Sequence, residues 1–122
     1  MSLPTSITLT DQMAGTLVFE QGKLLPNGMV YVAPSPNNDI AGCPTLRVET
    51  NRTSKNIERT MVKLVIPVWD ADSASYPQFD SIVLQMNRHA NRSAVAFRDE
   101  VEKLLSLGPQ SSVITPLCNA QL

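Results

Sequence analysis

Up to residue 87 the apolar side chains of this chain recur at every second position, and from residue 91 they recur every three to four. A period of two belongs to a strand with one buried face, and a period near 3.6 to a helix with one buried stripe. Six stretches carry the first pattern: 6–10 (SITLT), 16–20 (TLVFE), 29–33 (MVYVA), 45–50 (TLRVET), 57–66 at the start of IERTMVKLVIPVW, and 79–87 (FDSIVLQMN). One stretch carries the second, with Ala94, Phe97, Val101, Leu104 and Leu105 on a single stripe. Strands that all precede the helices and are joined by short turns predict an antiparallel sheet with helices gathered on one face, an α+β chain.

The connections support this division. Residues 6–20 read as an N-terminal β-hairpin, with Gly15 supplying the permissive turn position. LPNG (25–28) is a strong turn signal, and 51–56 is a polar turn. Residues 34–44 hold three prolines, two asparagines and a glycine and read as a loop, as does the small-residue, acidic stretch 70–77. Pro67 limits ladder pairing near the end of its strand. Asn91 is the expected N-cap of the helix, Gly108-Pro109 its stop, and 111–118 a further helical turn or two.

A chain of 122 residues has the size of one domain, 1–122. Its sheet nevertheless poses a coverage problem. Five adjacent strands ~4.8 Å apart make a sheet roughly 20 Å wide, whereas one helix is about 10 Å across. A single main helix does not cover the apolar face of Val62, Leu64, Ile66, Ile82, Leu84 and Met86. A second copy of the chain is the economical cover, so a homodimer is expected.

Formal net charge is −1, so any nucleic-acid binding must come from a local patch. Such a patch exists: between Thr45 and Lys63 lie five cations and two anions, a net of +3. A cluster of this kind is often only a solvated face. No catalytic centre is legible. His89 is the single histidine, so no Ser/His/Asp set assembles around it, and there is no phosphate-binding glycine loop. The carboxylates Asp99, Glu100 and Glu102 interleave with Arg98 and Lys103 on a solvated helix face. Cys43 and Cys118 are too few for a disulfide framework or zinc site. No metal or cofactor and no enzymatic activity are expected. No run suits a bilayer, the N-terminus does not read as a signal peptide, and no membrane partner is expected. NRT (51–53) and NRS (91–93) match the N-glycosylation pattern, which is short and often matched by chance.

The second face of the sheet is more telling. Arg47, Glu49, Arg59, Met61, Lys63, Ser81, Val83 and Gln85 are expected to form one flat array, joined by Met29 and Tyr31, with Phe79 at the start of the last strand. Cations neutralise phosphates, and apolar or aromatic groups receive unstacked bases. A plain solvent-facing sheet would not usually carry Met29, Met61, Val65 and Val83, and an exposed face that is apolar and basic together usually meets something.

A hairpin, a five-stranded antiparallel sheet and a C-terminal helix pair in this length resemble the coat protein of single-stranded RNA bacteriophages (leviviruses). The echoes are NGMVYV (27–32), RVETNRTSKNIERTMVKLVIPV (47–68) and NRSAVAFRDEVEKLLSLG (91–108), and they span essentially the whole chain. The resemblance implies an intertwined dimer with one continuous sheet, each chain's helices reaching over its partner. It implies assembly into an icosahedral capsid (T=3) in the bacterial host cytoplasm, with the protein ending in the virion. The loop 69–78 would make contacts around the symmetry axes. Single-stranded genomic RNA would be the partner of the inner sheet, with an RNA hairpin serving as packaging signal and translational repressor. Lys63 matches the family's RNA-contacting lysine, and Met29 an apolar base-pocket position. Arg47 and Glu49 stand near positions usually held by small hydroxyl residues, Met61 replaces another, and Phe79 is the aromatic candidate of the last strand. Loop cysteines cross-link the capsid in some members; loop 69–78 has none, so no covalent ring is expected. Two rival readings remain: a dimeric nucleic-acid-binding regulator that forms no particles, and a small α+β enzyme, which would need clustered titratable groups.

Overall fold

In the computed structural model, residues 3–11, 15–35, 40–53 and 55–120 are described. The chain divides into two compact units, Met1–Asn87 and Arg88–Leu122. The first holds a six-stranded sheet in sequence order, β1 (Ser6–Thr10), β2 (Thr16–Leu25), β3 (Gly28–Val32), β4 (Thr45–Arg52), β5 (Ile57–Asp70) and β6 (Ser75–His89), the last strand ending in the second unit. The second unit carries α1 (Ala94–Leu105) and α2 (Ser111–Cys118). The strands and helices thus fall where the two periodicities put them. The N-terminal hairpin is not a separate element: β2 extends five residues beyond 20 and pairs with β3, so one sheet has six strands.

The four resolved ladders are antiparallel and fix which residues share a face. Leu46 pairs with Leu64 and Val48 with Val62, while Arg47 pairs with Lys63 and Glu49 with Met61. On the first of these faces Phe19, Met29, Tyr31, Ala33 and Leu46 are buried, with Ile7, Leu17, Val48, Val62 and Leu64 packed against them. The sheet curls on itself, so that Ile7 and Leu9 of β1 and Leu3 line an open apolar trough of ≈ 400 Å³ together with Leu46, Val48, Val62, Leu64, Ile82 and Leu84. The N-terminal segment is pinned there: the Tyr31 hydroxyl donates to the Pro4 carbonyl at 2.7 Å, and the Gln21 side-chain amide donates to the same oxygen at 3.2 Å. The curl covers part of the apolar face and leaves Ile82 exposed.

Three local expectations need correction. The acidic loop of 70–77 shrinks to a turn of four residues, Ala71–Ala74, because β5 runs through Pro67 to Asp70 and β6 begins at Ser75. Pro67 is tolerated because the β4 ladder already ends at the Thr45–Val65 pair, so its missing N–H removes no bond to that strand. The turn is organised by Asp70, whose carboxylate accepts the Asp72 N–H (3.1 Å) and the Ser73 hydroxyl (2.9 Å). Gly15 does not adopt a left-handed conformation. Its N–H donates to the Asp11 carboxylate at 2.9 Å, and a Cβ at Gly15 would lie 2.6 Å from that group, so a larger residue would require the Asp11 side chain to shift. The α1 N-cap is Ser93 rather than Asn91, its hydroxyl accepting the Ala96 N–H.

Candidate nucleic-acid interface

The face opposite the core is built by ladder register. The β4–β5 pairs Arg47–Lys63, Glu49–Met61 and Asn51–Arg59 set six side chains on it in three adjacent rows. Arg59 reaches β6, donating from Nε to the Asn87 side-chain oxygen at 3.0 Å. Alternation back from Asn87 brings Gln85, Val83, Ser81 and Phe79 to the same side. Phe79 is 63% exposed and Val83 53%, so an aromatic and an aliphatic surface stand open on the cationic side, Phe79 eight residues along β6 from Asn87. These nine expected residues therefore share one face.

Met29 and Tyr31 are not among them. Met29 pairs with Val48 and Tyr31 with Leu46, which places both on the core face, where Tyr31 is fully buried and Met29 is 9% exposed. The residues of β3 that do face the cations are Gly28, Val30 and Val32, opposite Glu49, Arg47 and Thr45. Alternation alone leaves the choice of side for a short apolar strand open, since MVYV is apolar at both parities; only the pairing decides it. Gly28 is forced by packing, because a Cβ there would lie 1.8 Å from the Val48 carbonyl oxygen.

The charge also redistributes. Arg52 is not on this face: it pairs with Glu58 on the other side, 2.7 Å apart. Arg47 is ion-paired with Glu49 through both Nε and Nη2. Lys63, half-buried, and Lys23, exposed, lie on the face, and no ion pair involves either among the described residues. Among the members that sequence reasoning missed are Lys23, Asn51 and Asn87. Asn87 had a signal, its parity with Gln85. Lys23 had none, because a register shift between Gln21 and Lys23 reverses the alternation of β2. Among the described residues no group of three His, Cys, Asp or Glu side chains is placed to hold a metal ion. The surface can therefore offer hydrogen bonds, cationic contacts and stacking.

No family model matches the chain, and no curated protein does. Solved structures do. One is the virus-like particle of Beihai levi-like virus 21, with a TM-score of 0.82 at 12% identity, covering 98% of this chain and 96% of the other. A second is the virus-like particle of bacteriophage AVE019, with a TM-score of 0.74 at 16% identity and coverage of 100% and 98%. A third, described as an unassembled virus coat protein dimer and bacteriophage RNA-binding dimer, has a TM-score of 0.55 at 14% identity and covers 92% and 93%. The chain thus has the α+β coat-protein fold of single-stranded RNA bacteriophages, over essentially its full length.

Proposed function

We propose that this protein is a structural capsid protein, not an enzyme, that the whole chain, 1–122, acts as one coat-protein domain, and that its cationic sheet face binds single-stranded RNA. The observation that carries the reading is the full-length likeness to a chain that forms a virus-like particle, 98% of one against 96% of the other. Two features support it. The apolar face of the sheet keeps an open trough and an exposed Ile82, and α1 and α2 contain no buried residue, so apolar surface remains for a partner copy to cover. The opposite face joins Arg47, Arg59 and Lys63 to Met61, Val83 and Phe79, a combination suited to phosphates and unstacked bases together.

On this reading two chains form an intertwined dimer with a continuous sheet. Dimers assemble into an icosahedral shell, T=3, around genomic RNA in the bacterial cytoplasm, with the cationic face inside. An RNA hairpin bound there is the packaging signal and represses translation. The test is purification after bacterial expression, followed by negative-stain microscopy and absorbance spectroscopy. Uniform hollow particles carrying nucleic acid are expected. Dimers that persist under assembly conditions and carry no RNA would refute the capsid role.

A further inference from the structure

We propose that Lys23 is an additional phosphate-contacting residue, the far end of a basic row crossing four strands from Lys63; the proposal deepens the RNA-binding reading above and rests on it. Along the first part of β2, Leu17, Phe19 and Gln21 share the core side, with Phe19 opposite Ile7 and Gln21 opposite Tyr31. A regular strand would send Lys23 to that side as well. The register shift at Gly22 instead sets Lys23 opposite Val30, Val30 opposite Arg47, and Arg47 opposite Lys63. The four residues form one row perpendicular to the strands. At ~4.8 Å per strand, Lys23 stands roughly 14 Å from Lys63 at the backbone, with Arg47 between them.

Gly22 is what permits the shift. Its φ is not left-handed, but a Cβ there would lie 2.8 Å from Val32 Cγ2 and 3.2 Å from the Val30 carbonyl oxygen. The side chain is missing where the bulged backbone presses on β3, and the next residue turns outward. Glu20 lies on the same face, opposite Val32, and bounds the row on one side. An RNA backbone that follows the row meets three cations in succession. A competing explanation is edge protection: the β1 ladder ends at Glu20 and the N-terminal segment last bonds β2 at the Gln21 N–H, so from Gly22 onward β2 has no partner strand on that side, where lysine commonly blocks strand addition.

The two explanations differ in salt dependence. Binding of a 20-nucleotide mixed-sequence single-stranded RNA would be followed by fluorescence anisotropy across a KCl series, using full-length protein freed of nucleic acid. One single-strand phosphate contact contributes about 0.7 to the slope of log K against log salt, which is about fivefold in affinity at roughly 0.1 M salt. Lys23→Ala and Lys63→Ala are each expected to lower both by that amount. Lys23→Arg should retain them, and Lys103→Ala on α1 should change neither. If Lys63→Ala weakens binding while Lys23→Ala leaves the slope unchanged, the inference about Lys23 fails and the RNA-binding face stands. If neither lysine matters, the RNA-binding face itself fails, and the inference with it. Should Lys23→Ala aggregate, Lys23→Gln carries the test, and an unchanged slope in that variant assigns the lysine to edge protection and overturns the proposal.

Discussion

If the cationic face binds RNA as proposed, replacing Glu49 by glutamine is expected to tighten that binding. Glu49 occupies the row beside Arg47 and Lys63, opposite Met61, and its carboxylate holds the Arg47 guanidinium through two nitrogens. A phosphate arriving at Arg47 must displace that carboxylate and remain near it. Freeing Arg47 for one phosphate contact adds about 0.7 to the salt slope, or about fivefold at roughly 0.1 M salt. Removing the repulsion between carboxylate and phosphate, taken as about 5 Å apart in water, adds about 0.8 kcal/mol, or about fourfold, so the combined gain is about twentyfold. The Arg47 side chain is 49% exposed but that of Glu49 only 15%, so the cost to folding is expected to be about 1 kcal/mol, the upper end for exposed pairs. Anisotropy titrations of Glu49→Gln and the parent protein at two salt concentrations measure both quantities, with urea unfolding as the check on stability. An equal or weaker affinity with stability preserved would refute the reasoning, and would mean that Glu49 positions Arg47 rather than competing for it.

Three further outcomes are expected. Leu46→Ala, at a site 5% exposed between Tyr31 and Leu64, should cost 2–5 kcal/mol in urea unfolding, because it opens a cavity in the small core. Ala74→Gly should stabilise by about 0.5–1 kcal/mol, measured the same way, since Ala74 holds a left-handed φ of 49° in the β5–β6 turn. Leu104→Asp, at an exposed apolar position of α1, should abolish the dimer on size-exclusion chromatography, because it would place an unpaired charge in the proposed inter-chain layer.

Much of the fold is legible because periodicity is a local property. The alternation in TMVKLVI reports one buried face whatever the partner strand, and the 3.6 spacing from Ala94 to Leu105 reports a helix. The faces of β4 and β5 follow correctly from parity, since Leu46 and Val48 contrast with Arg47 and Glu49. Where both parities are apolar, as in MVYV, this contrast disappears, and Met29 and Tyr31 fall on the core side against expectation. The β5–β6 hairpin outruns its apolar pattern for a related reason. Polar and small residues at 70–78 carry no burial signal, yet the chain turns only over Ala71–Ala74, held by Asp70, and is already extended again from Ser75.

The sequence by itself determined the element order, the α+β class and a strand pair carrying cations on the side away from its apolar residues. The tertiary structure alone decided that Lys23 joins that side and that Met29 and Tyr31 do not. Register across β2 to β5 is set by pairing and by one bulge, and a shift of one residue exchanges the two faces of a strand. Gly22 makes that exchange within β2, where the Val32 side chain and the Val30 carbonyl crowd the place of a Cβ, and so it brings Lys23 into line with Arg47 and Lys63.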